Sequence, residues 1–163
     1  MGSSIDLDLM KRRQEHFEEH IHSLRLPHCL ELLDNQYVSD FRIVVGKRTF
    51  HVSKAFLSAK SKVFKTIFES GMKAAHEGQL ILNEDEEAVE AMLLFIYGNK
   101  KVDDFNLAMK VIQIAHRYGI ELLKLQCEYL IVQNLTVDVA YDCLVMSKRL
   151  DLPYLALKCH EML

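Results

Sequence analysis

The hydrophobic rhythm of the chain changes several times along its length, and each change marks an element. Around Pro27, a residue suited to the first turn of a helix, Leu26, Leu30 and Leu33 recur at four and three residues and draw a narrow apolar stripe. Two β-branched or aromatic runs follow, 41–45 and 48–52, with Gly46 and Lys47 between them, the pattern of a β-hairpin. From Ser53 the period becomes helical. Ala55, Phe56 and Ala59 fall on one short helix, Val63, Phe64, Ile67 and Phe68 on a second, with Ser61 as the natural cap between them.

A short strand over 79–82 follows Gly78, and three amphipathic helices then occupy 86–97, 107–118 and 122–133. The first two have glycine stops, Gly98 and Gly119. Two more helices are expected from 137 to 150 and from Pro153 to the end, and the last reaches Leu163 without a cap, as if the natural protein continued. At the other end, 1–4 reads as a frayed or non-native start and 6–22 as a helix. Its apolar positions, Ile5, Leu9, Phe17, Ile21 and Leu24, are sparse, so it should rest on a surface and not enter a core.

Composition narrows the functional classes. Half of the 163 residues are hydrophobic, enough to bury a core without disulfides or metal. Twenty basic and 23 acidic residues leave a formal charge of −3, too weak a field to hold nucleic acid or an anionic membrane, so the expected partners are proteins. The basic run Lys11-Arg12-Arg13 is offset by Glu15, Glu18 and Glu19. Cys29, Cys127, Cys143 and Cys159 are scattered without a C-x-x-C pair, which fits reduced, buried thiols in the cytoplasm or nucleus. No apolar run approaches the roughly 18 residues that span a bilayer, and no signal-peptide pattern opens the chain. Asn134-Leu135-Thr136 reads as a chance glycosylation sequon at a helix end.

Candidate chemistry is thin. His16 and His20 stand at i and i+4, but Glu18 is misplaced for H-E-x-x-H and no third ligand follows, so they read as a solvated helix face. No phosphate loop, nucleophile elbow or Cys/His/Asn set is found, and neither catalytic residue, metal nor cofactor is expected. Glu84-Asp85-Glu86-Glu87 at a helix start complements the macrodipole.

Several segments together resemble the BTB/POZ family. They are Ser39-Asp40-Phe41-Arg42-Ile43-Val44-Val45, Thr49 to Ser61, Val63 to Phe68, Phe95-Ile96-Tyr97-Gly98, and Ala115 to Glu128. Within that family the register of Ile67 to Met72 and of Tyr118 to Cys127 looks like the MATH-BTB group that includes speckle-type POZ protein, with 134–163 similar to a 3-box or the start of a BACK region. The resemblance implies an α+β fold, a short β-sheet flanked by a cluster of helices and followed by a C-terminal helical pair. It divides the chain into an extension (1–25), a BTB/POZ domain (26–133) and that pair.

The resemblance also implies a homodimer with Leu26, Leu30, Leu33 and Phe56 at its interface, and a charged pocket at Asp40 and Lys60. From periodicity alone the leucine stripe serves equally as intramolecular core. A two-fold interface would, however, hide a patch that is a liability on a monomer. Cullin-3 would bind at Phe68, Met72, Lys73, Ala74 and Tyr118, making the chain a substrate adaptor for a ubiquitin ligase, its substrate held by a domain outside this chain. The alternative is a self-association module, as in transcriptional regulators or ankyrin-bearing relatives. Three positions depart from the family pattern: Ser53 and Lys60 replace a histidine and an arginine, and Ala74 replaces the glutamate of the cullin-binding motif.

Overall fold

The computed structural model describes residues 2–23 and 29–163, with side chains over 7–19 and from 29 onward. The elements run α1 (Gly2–Ser23), a 3₁₀ turn (Cys29–Leu32), β1 (Phe41–Val45), β2 (Arg48–Val52), α2 (Lys54–Lys60), α3 (Lys62–Glu69), α4 (Lys73–Glu77), β3 (Gln79–Leu82), α5 (Glu86–Gly98), α6 (Phe105–Arg117), α7 (Glu121–Gln133), α8 (Val137–Arg149) and α9 (Pro153–Met162). This is the α+β arrangement expected, a small sheet among many helices.

Alternation builds the sheet. Phe41, Ile43 and Val45 point inward with Phe50 and Val52 of the neighbouring strand, while Arg42 and Thr49 face out. The strand order is β2-β1-β3, with β1 antiparallel to β2 and parallel to β3, so Ile43 lies between Phe50 and Leu80. A parallel neighbour requires a crossover, and α2 to α4 supply it. At the hairpin, Gly46 has φ 55°, and a Cβ there would strike the Glu86 carboxylate, which accepts from the Lys47 N–H at 2.9 Å. The turn is thereby fixed to α5.

α5 is the central helix, burying Ala88, Val89, Met92, Leu93, Phe95, Ile96 and Tyr97. Asp85 caps it, accepting from Ala88 N–H, and Asp104 caps α6 by accepting from Leu107 N–H. Ser61 breaks α2 from α3 as its sequence position suggests. Its hydroxyl accepts from Phe64 N–H at 3.1 Å and donates to the Tyr118 carbonyl, joining α3 to the end of α6.

Three expectations need correction, and one helix goes beyond them. The helix expected around the leucine stripe is, among the described residues, a single 3₁₀ turn; Leu30 is 40% exposed while Leu32 and Leu33 pack partly against the core. The chain turns away at Asp34 (φ 59°), whose carboxylate accepts from His51 N–H at 2.9 Å and so holds it to β2. α5 runs through Gly98 and stops at left-handed Asn99 (φ 52°). Gly98 serves another purpose, because a Cβ there would collide with Leu30. α1 does enter the core, at Phe17, which is 5% exposed and stacks on Phe95. α4, between Met72 and Gly78, has no forerunner in the periodicity, being only five residues long.

Candidate protein-binding surfaces

Three of the four residues expected at a dimer interface can be placed; Leu26 lies outside the described residues. Leu30 rests on Gly98, and Phe56 stacks on Tyr97 with ring centroids 4.6 Å apart and planes 11° apart. Both therefore cover the last turn of α5, while Leu33 is half-buried against the core. Tyr97 is itself buried, its hydroxyl accepting from Ser53 N–H at 2.7 Å, and burial raises its pKa. The backbone of Ser53 thus fixes the aromatic floor of this surface.

Asp40 and Lys60 hold different partners. The Asp40 carboxylate accepts from the Lys54 N–H at 2.8 Å in the first turn of α2, whereas the Lys60 amine donates to Asn99 Oδ1 at 3.4 Å. The Lys60 contact ties the end of α2 to the left-handed stop of α5, and burial lowers the amine's pKa.

A second surface lies around α3 and α4. Phe41, Phe68, Phe64 and Tyr118 form an aromatic row: Phe41 meets Phe68 edge-on at 4.9 Å, Phe68 stacks on Phe64 at 6.2 Å, and Phe64 on Tyr118 at 4.8 Å. Tyr118 is 8% exposed and Phe68 half-buried, so both support the patch from beneath. Met72, the N-cap of α4, is 54% exposed. Lys73 is exposed and pairs with Glu77 at 3.5 Å, while Ala74 is half-buried.

A third surface lies on α8. Val137, Tyr141 and Val145, at i, i+4 and i+8 on α8, are 63%, 67% and 55% exposed, while Ala140, Cys143, Leu144 and Ser147 on the other face are buried. Periodicity finds the helix but cannot say which of two apolar faces the core takes.

Among the described residues no three His, Cys, Asp or Glu side chains gather to hold a metal, and no helix is long and apolar enough to cross a membrane. His16 is exposed on α1, and the side chain of His20 lies outside the described residues.

The fold is that of a protein-interaction domain. A sequence profile of the BTB/POZ domain matches residues 29–135, and the chain belongs to the BTB/POZ family. It is 32% identical over 120 residues to TD and POZ domain-containing protein 3 of Mus musculus, covering 72% of this chain and 33% of that one, so it spans about a third of this relative's length. Among solved structures it is similar to the BTB domain of zebrafish PATZ1, with a TM-score of 0.55 at 21% identity over 74% of this chain and 94% of the other, a likeness of fold.

Proposed function

We propose that this chain is a homodimerising BTB module that serves as substrate adaptor for a cullin-3 ubiquitin ligase. Residues 26–133 form the BTB/POZ domain, 134–163 a 3-box or BACK-like pair, and 1–25 an extension, helical or linker. The module works by contact in the cytoplasm or nucleus and performs no chemistry, and its substrate is held by a domain outside this chain. Leu30 and Phe56 on the last turn of α5 support the dimer, because a two-fold axis covers such a patch with its own copy. Pairing doubles the surfaces on offer and raises avidity without a new contact.

The observation that carries the adaptor reading is Met72, a flexible and polarizable side chain left 54% exposed at the N-cap of α4. The exposed apolar stripe of α8 is a further surface on which a long partner could rest. Ala74 favours a second reading, self-association without cullin, since a missing carboxylate forfeits charge-assisted hydrogen bonds of about 1.5–3 kcal/mol each. That loss is one to two orders of magnitude in affinity.

A pulldown with the N-terminal part of cullin-3 separates the two. Capture by the unmutated chain that is lost in Met72→Asp supports the adaptor. Capture only after Ala74→Glu overturns it in favour of the scaffold.

A further inference from the structure

α1 lies along α7 and touches it with one face. Among its described side chains only Met10, Arg13, Gln14 and Phe17 are buried in whole or in part. Two anchors stand out. Phe17 stacks on Phe95 at 6.4 Å, and the Lys101 amine lies 5.3 Å from the Phe17 ring centroid. One turn earlier, Arg13 places Nη1 2.8 Å from Glu128 Oε2 and its guanidinium 4.0 Å above the Tyr154 ring. Glu128 is 5% exposed, and its other oxygen accepts from Leu155 N–H of α9 at 3.3 Å. The seat therefore demands a cation at Glu128 and an aromatic ring at Phe95, about 6 Å apart along a helix.

The seat is also roomier than its occupant. A cavity of about 280 Å³ lies beside Phe17, between Val102, Gln126 and Leu130, and a groove of about 440 Å³ flanks Arg13 on the side of Leu152. A buried ion pair adds little net stability, because its attraction must first repay the desolvation of both charges. A helix anchored by one ring and one ion pair belongs at the weak end of local stability.

We propose that α1 is a detachable strap over a helix-binding groove, and that the groove's partner in trans is an amphipathic helix with an arginine four residues ahead of an aromatic larger than phenylalanine. Arg13 and Phe17 present the same pattern in cis. The space beside Phe17 is what favours a foreign helix: a larger ring fills it and gains burial, whereas α1 of a second copy would fill it no better than the resident α1.

The test uses the full chain, its Arg13→Ala/Phe17→Ala variant, and a fluorescent peptide of residues 5–23 carrying Phe17→Trp. The peptide should bind the variant at least about tenfold more tightly than the unmutated chain, whose own strap competes. Adding Arg13→Ala to the peptide should weaken it by a similar factor. A variant that keeps the parent's helical circular dichroism yet shows no saturable binding overturns the proposal. A peptide with Phe17 retained that binds as tightly as the Trp peptide assigns the groove to a second copy, and the foreign helix is then excluded. Should the variant fail to fold, native-state hydrogen exchange of the unmutated chain decides. α1 amides exchanging as a block ahead of α7 support the strap, and exchange of both only at the global rate rules it out.

Discussion

The side-chain amide of Gln126 closes a two-bond ring with the backbone of Val102. The Val102 N–H donates to Oε1 at 2.9 Å, and Nε2 donates to the Val102 carbonyl at 2.7 Å. Both residues are buried, at 7% and 5% exposure, so α7 offers the segment after α5 what a neighbouring strand would otherwise supply.

Replacing this amide by an apolar group of similar size strands both backbone groups. Gln126→Leu should lower stability by about 2–6 kcal/mol, each of the two unsatisfied buried groups costing roughly 1–3. Urea unfolding should show a lower midpoint at an unchanged slope. A variant as stable as the parent would mean that the ring contributes nothing.

What could be read from the sequence depended on how far apart the interacting residues lie. The hairpin, the Ser61 cap and β3 are each specified by residues a few positions apart, through alternation or a cap followed by an apolar run, and the structure places them as expected. Gln126 and Glu128 look like ordinary polar positions on an amphipathic helix. Their partners stand 24 and 115 residues away, and no local pattern announces them. Phe17 failed for a related reason: a single aromatic on a polar helix carries no periodic signal, yet one ring is enough to dock it. Gly98 was recognised as special but for the wrong cause, because a close approach by Leu30 and a left-handed stop leave the same residue type in a sequence. Met72, Leu30 and Phe56 entered as candidates through family resemblance, and their exposure or stacking became visible only in three dimensions.

If Leu30 and Phe56 meet their copies across a two-fold axis, a charge placed there should separate the subunits. Leu30→Asp with Leu33→Asp should raise the dimer dissociation constant on the order of 30-fold or more, as expected when hot-spot residues worth at least about 2 kcal/mol are lost. Gly98→Ala is a subtler probe, since its methyl group displaces Leu30 without adding charge. It too should weaken the dimer. Mass by light scattering across a dilution series checks both, and an unmutated chain that is monomeric at micromolar concentration would end the argument.

Glu128 makes stability depend on pH in a direction opposite to most paired carboxylates. Burial raises its pKa above the ordinary 4.5, and the attraction of Arg13 only partly offsets this. The folded chain therefore binds this proton more tightly than the unfolded one. The resulting stabilisation is fully present below about pH 4.5 and is lost as pH rises through the folded value. Glu128→Gln has no such proton to lose. The stability of the parent relative to Glu128→Gln should thus fall with rising pH and then level off, as urea titrations at a series of pH values would show. A difference that grows as pH rises contradicts this account.

The four cysteines offer a local clock for opening of the helical half. Cys127, Cys143 and Cys159 are fully buried, and Cys29 on the 3₁₀ turn is only partly covered. Burial raises all three of the buried thiols, Cys143 to about 11, with Cys159 and Asp142 close by adding to it. Because the thiolate is the reactive species, folding suppresses these three twice, by cover and by protonation. A disulfide-exchange reagent at pH 8 should therefore titrate one thiol rapidly, and Cys29→Ser should abolish that phase. In denaturant all four of the parent's thiols should react at once. Cys143 and Cys159 face one another's helices in the α8–α9 pair, while Cys127 lies in α7 against the main core. If the C-terminal pair opens on its own, the slow phase should split, with two thiols reacting ahead of the third as denaturant rises below the unfolding midpoint. A single slow phase for all three would instead show that α8 and α9 unfold together with the body of the domain.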